Sequence, residues 1–391
     1  MELDETCRAF FHVLYEDRDV RAKNRCFEFQ QLHLAYGFRQ CQNPRDKVYG
    51  LLALVGGVAD PKPWLTPNYS KSEQEVFYDA TCALLDRGRC KLKCLTGAHC
   101  GIGAKQWASW VRDFGTPISR KETHLGLHRM KIYNLFDASR GKQASYRYFM
   151  AGAQLVDEKP HQVGLGLMGR RVGTVASMCA AIRFGSPTQS EQEQDRVLQE
   201  WMHASGVELS QLVDGQEHSV AVSRFWRTML GGVMTAEPDH TGHADWRQFT
   251  AEAMVWLQVV QSSQHDSSKG MHFTLARTLT IAIDGKCYFR TEDGGQGLCY
   301  PSVQEGDEIW VVAGSNVPFV LRRADLSDEA KSELRPREAR EIDVDGVFGP
   351  KSDFEETKKE YGYYSLVGDC YYDGYMHGEA AEELTQPIVL V

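Results

Sequence analysis

Val163-Gly164-Leu165-Gly166-Leu167-Met168-Gly169 contains a literal Gly-x-Gly-x-x-Gly, and the residues that follow it decide between two architectures. Such a run holds a dinucleotide when a strand precedes it and a helix opens at its glycines, because the helix N-terminus then faces the pyrophosphate. Here Arg170-Arg171-Val172-Gly173-Thr174-Val175-Ala176-Ser177 continues with period two, as a strand does. Acidic residues about twenty positions further on, where a ribose would be held, are Glu191, Glu193 and Asp195, inside a polar run and not at a strand end. The stretch reads as part of a glycine-rich β-hairpin within 146–180, and no cofactor is expected.

Towards the C-terminus, 271–391 repeats this character as short β-runs parted by glycine turns, the pattern of a small barrel or a strongly bent sheet. Asp307 after Gly306 suits a turn into a strand Ile309 to Val312, and Asn316 suits the next turn. Asp369, Asp373, His377 and Glu379 are the residual polar set, with the first two expected to alternate onto one face of a strand as a binding rim. The insert 327–359 is rich in Glu, Lys, Arg and Asp and reads as a solvated, mobile excursion. Its Asp343-Val344-Asp345-Gly346 lacks the rest of a calcium loop.

Towards the N-terminus the period changes. Residues 190–262 read as helical, with Val197, Leu198, Trp201 and Met202 on one side and Phe225-Trp226 on a second apolar face. His240, His243 and Asp245, in a loop with Pro and Gly, could serve as a general base with its orienting carboxylate or as metal ligands; solvated loop histidines are the competing reading. Residues 1–130 read as mostly helical, with one helix over 1–36 and another over 73–88, opened by Ser70-Lys71-Ser72-Glu73 as a capping box. In Cys41 to Val55, Pro44 disfavours helix at Asn43, Asp46 could cap the next turn, and Val48 onward reads as a buried run. Cys90, Cys94, His99 and Cys100 are four soft ligands within a short span. Paired Cys-x-x-Cys knuckles are missing, and Lys91-Leu92-Lys93-Cys94-Leu95 alternates as a strand would, which favours core thiols over zinc.

The chain of 391 residues is 42% hydrophobic, enough for a large core in one elaborate domain or two intimate ones. A net charge of −9 and an absence of any lysine/arginine stripe argue against nucleic acid as a partner. Met1-Glu2-Leu3-Asp4-Glu5-Thr6 is acidic where a secretory signal is basic, and no stretch is long enough to cross a bilayer. The cytoplasm is the expected location, no membrane is expected as a partner, and the 11 cysteines read mostly as buried thiols.

Several of these segments fall in one order with the fungal heterokaryon-incompatibility (HET) domain family. Pro44-Arg45-Asp46-Lys47-Val48-Tyr49 with Leu51-Leu52-Ala53-Leu54 resembles its "PRDKVYALLGL". Pro67-Asn68-Tyr69-Ser70-Lys71-Ser72 resembles "PDYSKS", and Ser109-Trp110-Val111 resembles part of "LPSWVPDW". Phe225-Trp226-Arg227-Thr228 resembles "FWRTL". Phe289 to Leu298, Gly306-Asp307 and Pro318-Phe319-Val320-Leu321-Arg322 resemble "FxTxxGxxGLGP…GDxVxVLxGxxxPFVLR". Tyr364 to Ala380, including Gly368, Asp369, Gly378 and Glu379, resembles the closing "YxLVGECYVHGIMDGEA".

The resemblance covers the last part of a HET domain and the region after it; counterparts of the upstream "SYxWG" and "CINQ" segments are not found, so the chain is expected to be truncated relative to the family. It implies an α+β fold: a helical HET-derived remnant, a helical middle and a glycine-rich β module. It also implies a regulatory or recognition role in incompatibility or programmed cell death responses, with another HET-domain protein or a small metabolite as partner. The alternative is a HET-derived, cofactor-independent cyclase, isomerase or hydrolase, or an accessory protein, in fungal secondary metabolism, using His240, His243 and Asp245.

Overall fold

The computed structural model describes residues 29–52, 55, 65–87, 91–97, 108–144, 146–151, 163–208, 220–232, 279–336 and 361–391. The chain divides into two compact units, 1–131 with 155–160 and 132–154 with 161–391. Helices and a mixed sheet make it an α+β protein.

In the first unit the helices are α1 (Phe29–Tyr36), α2 (Asp46–Tyr49), α3 (Glu73–Arg87) and α4 (Arg120–Tyr133), the last ending in the first residues of the second unit. Helix α3 begins at a reciprocal box two residues later than expected, with Ser72 and not Ser70 as the cap: Glu75 N donates to Ser72 Oγ at 3.2 Å and Ser72 N to Glu75 Oε2 at 2.6 Å, while Ser70 turns to Asn68. Ser119 and Glu122 repeat it at α4, at 3.1 and 2.8 Å. The unit is centred on Phe114, whose ring meets those of Phe29 and Phe77 edge-on at 5.6 and 5.4 Å.

Two local expectations are corrected here. Lys91–Leu95 is a 3₁₀ turn, not a strand. Leu92, Cys94 and Leu95 are all buried, which alternation cannot produce, and the Lys93 carbonyl accepts from Thr96 N at 2.9 Å and Gln30 Nε2 at 2.8 Å, so the turn closes without a neighbouring strand. The run from Val48 to Val55 is not buried throughout: Val48 is, while Leu51 and Leu52 are half-exposed and Gly50 is exposed. A single-turn helix such as α2 presents only one side chain to the core.

Among its described residues the second unit has ten strands: β1 (Tyr146–Ala151), β2 (Val163–Met178), β3 (Cys287–Thr291), β4 (Gln296–Cys299), β5 (Glu308–Val312), β6 (Phe319–Arg323), β7 (Leu334–Pro336), β8 (Gly362–Asp369), β9 (Tyr371–Tyr372) and β10 (Gln386–Leu390). The Gly-x-Gly-x-x-Gly lies inside one strand of 16 residues, and its antiparallel partner across the hairpin is β1. Strand β2 serves four neighbours in succession: β1 and β10 along its first half, β5 from Gly169 to Thr174, and β3 from Val175. Register shifts at Arg171/Gly173 and Val175/Ser177 let it bend between them. The pairings β2–β5, β5–β6, β6–β8, β8–β10 and β10–β2 return to their starting strand, the β8–β10 step being parallel and the others antiparallel.

Glycine is required at the crossover. Gly169 pairs with Gln386 on one edge and Val312 on the other, and a Cβ there would lie 2.8 Å from the Val311 carbonyl oxygen. Gly306, at φ 87°, makes the turn into β5.

Period two then sorts the side chains between two cores. Tyr288 and Leu298 face helices α5 (Glu191–Ser205) and α6 (Val220–Met229), packing with Trp201, Phe225 and Trp226. Their neighbours Cys287, Phe289 and Cys299 turn to the opposite face, with Val175, Ile309, Val320 and Val367. Helix α5 opens on a capping box, Ser190 with Glu193. Ser190→Ala is expected to lower stability by about 1 kcal/mol, read as a fall in the thermal midpoint with the fold retained.

The insert departs from expectation at its start. Ser327 Oγ accepts from Ala330 N at 3.2 Å and caps helix α7 (Asp328–Glu333), and β7 then pairs with β1. Leu334 is buried against Phe149 and Val389, so apolar burial holds a segment whose charge suggested solvation. The remainder of the insert, 337–359, lies outside the described residues.

Candidate functional site

Three segments far apart in the chain meet around Asp373 in the second unit. The apolar residues Val222, Phe225, Trp226 and Met229 fix the buried face of α6. That places Arg224 and Arg227, one turn apart, on its flank. Asp373, in the turn after β9, keeps only 6% of its side chain exposed. Arg227 donates to it from both Nε and Nη2 at 3.0 Å, Arg224 from Nε at 3.2 Å, and the Tyr371 hydroxyl at 3.2 Å.

The carboxylate is also tied to the sheet. Asp373 N donates to Gln296 O at 3.0 Å, and Gln296 Nε2 donates to Thr228 Oγ1 at 3.1 Å, whose hydroxyl donates to Arg224 O at 2.9 Å. Tyr288 completes the chain by donating to Gln296 Oε1 at 2.7 Å. Helix, strand and turn are thus held by one connected network in which each buried polar group named has a partner. Hydrogen bonding to Asp373 raises the Arg227 pKa, and burial pushes the Tyr371 and Tyr288 phenols up, so all three act as donors.

Asp369 and Asp373 were expected on one strand face, and the structure separates them. Asp369 ends β8 and is fully buried, where it accepts the Tyr133 hydroxyl and lies 3.9 Å from Lys286 Nζ. Lys286, itself 5% exposed, sits 3.2 Å above the Tyr300 ring. The strand breaks at Cys370 and Asp373 lies in the turn after β9, so the alternation of a continuous strand does not apply. His377 and Glu379 are exposed, with His377 N donating to Glu379 Oε2 at 2.8 Å.

The other family-like positions have structural partners. Arg322 clasps Asp307 through Nε and Nη2 at 2.7 and 2.8 Å, Pro318 O accepts Cys370 N at 3.0 Å, and Gly368 and Gly378 leave room for Tyr300 and Arg140. In the first unit, Tyr69 donates to Asp46 Oδ1 at 2.7 Å and packs edge-on against Tyr49 at 5.2 Å; this hydrogen bond raises the Tyr69 pKa. The Asp46 carboxylate is therefore used on Tyr69 rather than as a helix cap, while Asn43 Oδ1 accepts Arg45 N at 3.1 Å in the turn that Pro44 shapes. Ser70 donates to Asn68 Oδ1 at 2.7 Å, and Trp110 is fully buried.

Cys94 is buried as a core thiol, whereas Cys90, His99 and Cys100 lie outside the described residues, as do His240, His243 and Asp245. Among the described residues no three metal-ligating side chains converge. Burial pushes the Cys287 thiol up to about 11 and the Cys179 thiol up to about 12, which leaves both protonated near neutral pH and poor as nucleophiles. The described residues around Asp373 are therefore equipped to recognise an acceptor by donating hydrogen bonds.

Sequence reasoning missed Arg224, Gln296, Lys286 and Tyr133. The arginine pair at i, i+3 beside an aromatic face was a readable signal; the other three depend on strand pairings. No helix among the described residues is long and apolar enough to cross a membrane. No protein-family model, curated protein or solved structure matches the chain.

Proposed function

We propose that this chain is a cytoplasmic recognition or regulatory protein of the fungal heterokaryon-incompatibility family, acting by binding a HET-domain relative. The observation that carries the reading is the meeting of three HET-like segments at Asp373: the one with Phe225-Trp226-Arg227-Thr228, the one with Gln296, and the closing one with Asp373. Their polar side chains hold a surface in shape, which is what a binding module asks of them. The cycle of strands β2, β5, β6, β8 and β10 is, on this reading, the small barrel-like module anticipated from the glycine-rich segments.

The test is affinity purification of the tagged chain from its fungal host, with mass spectrometry of what co-purifies and growth on overexpression. Enrichment of a HET-domain protein with a growth or confrontation phenotype is the expected result. Neither effect, together with loss of one defined compound and build-up of a precursor when the gene is deleted, would overturn it in favour of a role in secondary metabolism.

A further inference from the structure

The Asp373 assembly leaves donors unspent. Arg224 uses only Nε on the carboxylate, and its Nη1 and Nη2, with Nη1 of Arg227, make no hydrogen bond to any described residue. The two side chains are 35% and 42% exposed, while the carboxylate that fixes them is 6% exposed. Two guanidinium charges facing one carboxylate leave a net positive charge, set in a chain whose overall charge is −9. Asp373 is the acid paired with both arginines among the described residues, Glu379 accepts from His377 N, and burial keeps Tyr371 protonated.

We propose that Arg224 and Arg227 form a preorganised binding fork for a small-molecule oxyanion, a phosphate or a carboxylate. Planar guanidinium donors match either group in a two-point fashion, and their anchoring on a buried acid removes much of the entropy that free arginine side chains lose on binding. The site stands on the geometry around Asp373 and does not depend on the family reading. Failure of the co-purification test would leave it untouched, and failure of the test below would leave the family reading open.

The experiment is isothermal titration of the full chain with inorganic phosphate, pyrophosphate and citrate, repeated at raised NaCl and on the variants Arg224→Gln and Arg224→Lys. Arg224 is the position to change, because Asp373 keeps the two-point Arg227 contact; an unshifted thermal midpoint checks this. Saturable binding weakened about tenfold or more by Arg224→Gln, with Arg224→Lys in between and affinity falling with salt, supports the site. A response confined to phosphate and pyrophosphate assigns a phosphate-bearing ligand, and one confined to citrate a carboxylate. No saturable binding of any probe, or equal isotherms for the parent chain and Arg224→Gln, overturns it.

Discussion

Lys286→Met is expected to destabilise the protein by about 3–5 kcal/mol, because it strips a counter-charge from a fully buried carboxylate. Asp369 has no exposed surface, and Lys286 Nζ lies 3.9 Å from it, while the Tyr133 hydroxyl supplies a neutral donor. Methionine fills the volume of the lysine stem and keeps contact with the Tyr300 ring, so the loss should come from charge and not from a cavity. The informative comparison is a double-mutant cycle with Asp369→Asn, which keeps an acceptor for Tyr133 and removes the charge. With both charges gone, the double variant should be more stable than the sum of the single losses by more than about 1 kcal/mol, read from urea unfolding midpoints. Additive losses would mean that the lysine and the aspartate are stabilised independently.

The second large effect is expected at the crossover of the long strand. Gly169→Val should cost about 3 kcal/mol, because its Cβ would press on the Val311 carbonyl oxygen at 2.8 Å where β2 is held on both edges and neither can yield freely. Ala176→Val, at an exposed position of the same strand, should stay within about 0.5 kcal/mol and controls for the added branching. Equal losses at the two positions would mean that strand propensity, and not closure of the pairing cycle, selects glycine at residue 169.

The co-purification, cap and anion experiments probe smaller or separate features. Together the five tests address a protein partner, local capping, closure of the sheet, one buried charge pair and one partly exposed arginine pair. Those features were unequally legible. Helix α5, the strand character of residues 163–177 and the turn at Gly306 follow from contiguous residues, since an apolar face at helical spacing, period two and a glycine beside an aspartate are decided within a few positions. The α+β class was legible for that reason.

The site was legible only in part. The closing segment and Phe225-Trp226-Arg227-Thr228 stood out as family-like, but the ion pair that joins them links residues 146 apart in sequence. A carboxylate finds its cation according to which strands become neighbours, and Asp369 and Asp373, four positions apart in one motif, take unrelated partners because the chain turns between them. Lys91–Leu95 failed as a strand for a related reason: alternation over five residues does not reveal whether a neighbouring strand exists to pair with, and here the Lys93 carbonyl accepts from Thr96 N and Gln30 Nε2 and the Cys94 carbonyl from Arg112.

By itself the sequence determined the longer helices, the strand character of the glycine-rich runs and the turn at Gly306, because these are set by local backbone sterics and by side-chain periodicity. The tertiary structure alone decided that β2 would bind four partners, that the pairings would close on themselves, and that two arginines would share one buried aspartate. Those outcomes depend on long-range burial and charge pairing, whose free energies exist only once distant segments have been brought together.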